Sequence, residues 1–195
     1  MQVIGVVGLN ASGKDALLEY LHQRCGLPIV SSGDIARDLA MQRGLAPTRD
    51  NLHHISTQYI ARYGTDYFMR QIVDIIEREG WTAVGITGIR TPDDVRTLKQ
   101  RLGNNFVLVY VHVSDPHLRY ERARQRAEAR DPTTFAEFAE KDREEEELFH
   151  IRDTIQYADM IIDNSSTIEA FHQQIEEKIV RGRLGAQLGC NSNRV

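Results

Sequence analysis

Gly8, Gly13 and Lys14 are spaced as Gly-x4-Gly-Lys within Gly8-Leu9-Asn10-Ala11-Ser12-Gly13-Lys14-Asp15. Glycines at this spacing let the backbone bend until successive N–H groups point at one anion, and a helix starting at the lysine turns its positive dipole end to the same place. Lys14 adds a full positive charge. The chemistry is the cradling of a phosphate chain, by Gly8, Asn10, Ala11, Ser12, Gly13 and Lys14. The apolar run Val3 to Val7 before it and the helix-like stretch Ala16 to Arg24 after it give strand, loop and helix in the order such a cradle needs. Asp15 stands where the pattern expects a hydroxyl.

Two further segments can grip a second phosphate. Ser31-Ser32-Gly33-Asp34-Ile35-Ala36-Arg37 and Thr87-Gly88-Ile89-Arg90 each put small residues and a guanidinium just past an apolar run. In an open α/β sheet, ligands bind outside the carboxyl ends of strands. Arg37 and Arg90 converging from different strand ends suit a dianionic phosphate, because guanidinium forks bind its oxygens bidentately and keep their charge. Gly33, Asp34 and Gly88 complete the expected acceptor site. Arg119, Arg122, Arg126 and Arg130 recur three or four apart on one helical face. Arg122 and Arg126 are expected to meet phosphate, with Arg143 returning from the other side; a solvated face paired with Glu121 and Glu128 is the alternative. No Ser-His-Asp or Cys-His set is evident, and His53, His54 and His112 lack ligand spacing.

These residues need a scaffold, and the chain alternates short apolar runs with amphipathic stretches, the pattern of a parallel sheet covered on both faces by helices. Strands are expected at Val3 to Val7, Pro28 to Val30, Thr82 to Ile86, Phe106 to Val113 and Met160 to Asp163. Helices are expected at Lys14 to Arg24, Asp34 to Arg43, Arg49 to Tyr63, Asp66 to Arg78, Asp93 to Arg101, His117 to Arg130, Phe135 to Arg152 and Ile168 to Val180. The fold class is α/β, a P-loop NTPase fold with a five-stranded parallel sheet. Residues 33–80 hold helices without a strand, as an acceptor-binding insertion would. Residues 119–152 are dominated by charge, including Lys141 to Glu147, and read as a short helical lid, or else as a solvated helix pair. One domain over 1–180 is expected, followed by a loosely ordered tail at 181–195.

A length of 195 residues with 41% hydrophobic content supports a sizeable core. A net charge of -4 gives no global attraction to polynucleotides or anionic membranes. No apolar run approaches the ~20 residues of a membrane span. A strand beginning at residue 2 or 3 leaves no room for a signal peptide, and Cys25 and Cys190, far apart in sequence, read as free thiols of a reducing compartment. A cytoplasmic protein, monomer or homodimer, is the expectation.

With these motifs the chain resembles the nucleoside monophosphate kinase superfamily, and most closely an archaeal-type group of small kinases related to adenylate and dephospho-coenzyme A kinases. The resemblance covers roughly Met1 to Val180. It rests on Gly8 to Lys14, on Ser32-Gly33-Asp34 with Arg37, on Gly88-Ile89-Arg90, and on Ala158-Asp159-Met160-Ile161-Ile162-Asp163-Asn164. It implies ATP as phosphoryl donor with Mg²⁺, Arg37 and Arg90 on the acceptor phosphate, and lid arginines on the transferred group. It also places the loop Asn164 to Thr167, with Ser165, beside adenine; a polar turn capping the last helix is the alternative for that loop.

Two departures bear on the metal. Asp15 replaces the P-loop hydroxyl, as it does in phosphomevalonate kinases and certain deoxynucleotide kinases, and Thr87 stands where related kinases carry an acidic residue. Mg²⁺ takes hard oxygen ligands, so Asp15 with Thr87 as a weak partner is expected to position it; otherwise Asp15 only favours the helix N-terminus. The leading expectation is ATP-dependent transfer to a small phosphate-bearing acceptor, a nucleoside or deoxynucleoside monophosphate. Its phosphate oxygen is already anionic and needs positioning rather than a base. The alternatives are a hydroxyl acceptor such as dephospho-coenzyme A, with Asp34 as base, and a nucleotide-binding switch that has lost transfer.

Overall fold

All six residues of β1 (Gln2–Val7) are buried, which a strand achieves at the centre of a sheet covered on both sides. The structure is a computed structural model and describes residues 1–126 and 133–190. With β2 (Ile29–Ser31), β3 (Ala83–Thr87), β4 (Phe106–His112) and β5 (Met160–Asp163), β1 forms one parallel sheet in the order β2-β3-β1-β4-β5. Ile4 pairs with Gly85 on one side and Val107 on the other. The loop after β1 therefore leaves the middle of the sheet, between the ends of β3 and β4, where ligands of such sheets sit.

The helices are α1 (Lys14–Cys25), α2 (Ser32–Gln42), α3 (Arg49–Tyr63), α4 (Tyr67–Glu79), α5 (Pro92–Leu102), α6 (Pro116–Arg126), α7 (Phe135–Phe149), α8 (Ile151–Ile155), α9 (Ile168–Ile175) and α10 (Arg183–Gln187). Alternation along β1 divides the core. Val3 and Val7 face Ile72 and Ile76 of α4 and Val95 and Leu98 of α5. Ile4 and Val6 face Leu17, Leu18 and Leu21 of α1 and Phe171 and Ile175 of α9. Phe68, Ile72, Ile75 and Ile76 recur at helical spacing and predict a core face; α4 buries Phe68, Ile72 and Ile76, while Ile75 is only half-buried.

Three sequence expectations are corrected. Helix α7 stops at Phe149, because His150 takes the left-handed conformation at φ 52°, and α8 then starts in a new direction. The segment after Val180 is not loosely ordered up to residue 190: a π turn at Glu176–Val180 and α10 fold it back, burying Leu188 and Cys190 in the α1 side of the core. That return brings Cys190 to the end of α1, where it forms a disulfide with Cys25 at a Cα–Cα separation of 4.4 Å. The two cysteines are thus not free thiols, and they give no argument for a reducing compartment; a sequence separation of 165 hid their proximity. Among the described residues no helix is long and apolar enough to cross a membrane. Arg130 lies outside the described residues.

Candidate active site

The phosphate loop runs from Gly8 at the end of β1 to Lys14 at the start of α1. Gly13 caps α1 at φ 99°, and the space a Cβ would take there is filled by the Asn164 side-chain amide. Ala11 is also left-handed at φ 56°. Such reversals turn successive N–H groups into a concave anion site. Ser12 is 1% exposed and its hydroxyl has no partner. An orphaned buried hydroxyl in a cradle of amides fits a polyanion that is to complete it.

Lys14 donates from Nζ to the Leu9 carbonyl at 2.8 Å, so the loop is closed over its own cation. Burial pulls the Lys14 ammonium down to about 8, against the attraction of Asp15 and Glu145 and with the help of Arg90 and Arg119. Beside it, Thr87 Oγ1 at the end of β3 donates to Asp15 Oδ1 at 2.7 Å, so the two residues expected at the metal meet across the sheet edge. Among the described residues no group of three or more His, Cys, Asp or Glu could hold a metal. One carboxylate and one hydroxyl at a phosphate site do fit Mg²⁺, which keeps waters and substrate oxygens in most of its positions.

Arg119 is 4% exposed, ion-paired with Asp142 of α7, and donates to the Asn10 carbonyl at 3.1 Å. It ties α6, α7 and the loop tip together and is not a free phosphate ligand. Arg122 lies one turn on. It reaches Asn164 Oδ1 at 3.3 Å, while its Nη1 is buried without a partner and burial lowers its pKa. Asn164 is 6% exposed and donates to the Ser12 carbonyl at 2.9 Å. Its side chain therefore braces the loop from within instead of facing a base. Ser165 accepts from the Ser114 amide and donates to Asp163, and Thr167 caps α9. In the loop expected beside adenine, the side chains of Asn164, Ser165 and Thr167 are thus bonded within the protein. Arg126 is exposed at the end of α6.

At the acceptor side, Gly88 has φ 87° and lies so close to Ser32 that a Cβ would strike its side chain; Ser32 Oγ donates to the Gly88 carbonyl at 3.2 Å. This contact packs the two arginine-bearing strand ends together. Arg90 is held by its backbone. Its amide donates to Asp94 Oδ2 at 2.9 Å, and its carbonyl accepts from Thr154 Oγ1 at 2.8 Å. Its guanidinium lies over the Phe149 ring, 4.8 Å from the centroid, and makes no hydrogen bond or ion pair among the described residues. Burial pushes the Asp94 carboxyl up, opposed by the amides of Thr91 and Arg90. Arg37, one helical turn past Gly33, instead pairs with Asp34 at 2.6 Å. Asp34, the base of the hydroxyl alternative read from sequence, is exposed and paired with that arginine.

Arg143 is likewise not brought to the cradle. It is exposed and bound by Glu140 and Glu147 of its own helix. The inward face of α7 carries Phe138, Asp142, Glu145 and Phe149, and Arg143 falls about a third of a turn away. The acidic run, read as a lid or else as a solvated helix pair, is therefore two-sided. Sequence reasoning counted Arg119 only as part of a basic helical face and passed over Asp94, Thr154 and Glu145. Of these, only Asp94 left a local signal, the Thr-x-x-Asp spacing of a capping box, which the structure forms.

A family model described as an AAA domain matches residues 7–139. The chain belongs to that family. It belongs equally with the UPF0200 proteins: one from Hyperthermus butylicus is 32% identical, covering 95% of this chain and 96% of that protein. Another, from Pyrococcus horikoshii, is 31% identical over 91% of this chain and 95% of its own. Among solved structures, shikimate kinase from Bacteroides thetaiotaomicron aligns with a TM-score of 0.57 at 11% identity, covering 90% of this chain and 97% of that enzyme. This chain thus has the P-loop kinase fold, and the expected α/β architecture is borne out.

Proposed function

We propose that this protein is an ATP-dependent kinase of a small, phosphate-bearing acceptor. The observation that carries the reading is the pairing of two incomplete anion sites across one sheet edge. The loop offers an orphaned Ser12 hydroxyl, left-handed amides and Lys14; Arg90 offers an uncommitted guanidinium backed by Phe149. Aromatic backing holds a guanidinium in place without using its donors. A nucleotide switch needs only the first site, so the second argues for a second substrate.

ATP would bind with its phosphates at Gly8 to Lys14, Lys14 leaving the Leu9 carbonyl for the β- and γ-oxygens. Arg122, half-buried with an unpartnered nitrogen, would take charge on the transferred group. Arg90 would fix the acceptor phosphate, joined by Arg37 once that phosphate displaces Asp34. The Arg37–Asp34 pair is exposed and of the kind worth only about 0.5 kcal/mol, so the exchange is easy. Asp15 with Thr87 would hold Mg²⁺, which would supply neutralisation of phosphate charge. The acceptors to try are nucleoside and deoxynucleoside monophosphates and dephospho-coenzyme A.

The test is incubation with Mg-ATP and each acceptor, with chromatography of the products and Lys14→Ala as control. Acceptor-dependent transfer lost in the control is the expected result. Tight nucleotide binding with no transfer to any acceptor would move the protein to the switch class.

A further inference from the structure

The acidic helix α7 crosses the site from donor to acceptor. Asp142 meets the loop tip through Arg119, and Phe149 lies against the Arg90 guanidinium. Seven residues separate them, about 10 Å along a helix axis. Glu145 falls between, on the same inward face at the i, i+3, i+7 repeat. It is half-buried, whereas its neighbour Glu144 is exposed. Glu144 apart, the carboxylates near it on α7 are used: Glu140 and Glu147 hold Arg143, Glu146 accepts from the Arg152 amide, and Asp142 holds Arg119. Glu145 makes no hydrogen bond or ion pair among the described residues. Glu145 and Lys14 are close enough for their charges to attract. A half-buried, unpaired carboxylate thus stands over the gap between the two anion sites.

Building on the kinase reading above, we propose that Glu145 is the base of the transfer and that the reacting group of the acceptor is a hydroxyl. A phosphate oxygen needs no base, and a carboxylate over the gap would repel it; a hydroxyl must lose a proton as it attacks. The acceptor oxygen bonds to the γ-phosphorus while the bond to the β–γ bridging oxygen breaks. ADP leaves with that electron pair, and the hydroxyl proton passes to the Glu145 carboxylate and on to water. The acceptor's own phosphate stays on Arg90 and does not react. This exchanges the monophosphate for the hydroxyl as the first acceptor class, and replaces Asp34 with Glu145 as its base.

Water is itself a hydroxyl acceptor, so basal Mg-ATP hydrolysis reads the base before the acceptor is known. Glu145→Gln is compared with Glu144→Gln in the full chain. Hydrolysis, and transfer to any hydroxyl acceptor found, should fall about 10²–10⁴-fold in Glu145→Gln alone and lose its acid limb in the pH profile, with nucleotide Kd unchanged. A second readout needs no turnover. Nuclear magnetic resonance of ¹³C-methylated lysines, of which Lys99, Lys141 and Lys178 are the others, should show Lys14 titrating lower in Glu145→Gln than in wild type. Unchanged hydrolysis by Glu145→Gln, or tighter nucleotide binding with unchanged turnover, overturns the base while leaving the kinase standing. A wild-type protein that neither hydrolyses ATP nor transfers phosphate overturns both.

Discussion

The two ends of α1 are built on opposite rules. At its N-terminus, polar groups are left incomplete: the Ser12 hydroxyl has no partner, Lys14 is bonded to a carbonyl of its own loop, and the nearby Arg90 guanidinium and Arg122 Nη1 are unsatisfied. At its C-terminus everything is closed. Gly26 ends the helix in the left-handed conformation, Glu176 collects Tyr20 and Arg24, and Cys25 is bonded to Cys190. Unsatisfied buried groups lower stability, and a fold keeps them where a ligand will complete them. The closed end supplies the rigidity that lets the open end stay open.

Lys14→Ala should break the open end most. Loss of the one lysine in the cradle should lower phosphoryl transfer about 10³-fold, read as kcat/KM, with the thermal midpoint of the nucleotide-free protein unchanged or raised. Cys190→Ser should do the reverse. It opens a loop of 165 residues and should remove about 2–5 kcal/mol of stability, seen in denaturant unfolding, while nucleotide Kd stays constant. If nucleotide affinity falls with the disulfide, the two ends are coupled and the comparison fails.

Within the open end, Arg90 and Arg37 sharpen the contrast between an uncommitted and a committed cation. Arg90→Ala should raise the acceptor KM about 10–100-fold, the worth of charge-assisted hydrogen bonds, and Arg37→Ala distinctly less, because its new contacts replace the pair with Asp34. The smallest effect is in pH. Lys14 titrates at about 8 in the free protein, and a bound phosphate raises it, so above pH 8 nucleotide binding takes up a proton. Affinity should then fall by up to about tenfold per pH unit, with proton uptake measured by calorimetry in buffers of different ionisation heat.

Local signals carried far along this chain. Gly8, Gly13 and Lys14 announced the cradle, because only backbone permissiveness and a terminal charge are needed and both are residue types. The apolar alternation announced the sheet, and Thr87 beside Asp15 is where strand ends of neighbouring β1 and β3 had to place it. Arginines were legible as cations but not as free ones. Arg37, Arg90, Arg119 and Arg143 look alike in sequence, yet Asp34, Asp142 and Glu140 neutralise three of them and an aromatic ring backs the fourth.

What the sequence by itself determined is thus the set of elements and the presence of a phosphate site, since both follow from periodicity and spacing within a few residues. The tertiary structure decided which charges remain available, which face of α7 looks inward, and that Cys25 meets Cys190. Each of these depends on contacts between segments distant in the chain, where burial and pairing energies are set by neighbours that no local pattern names.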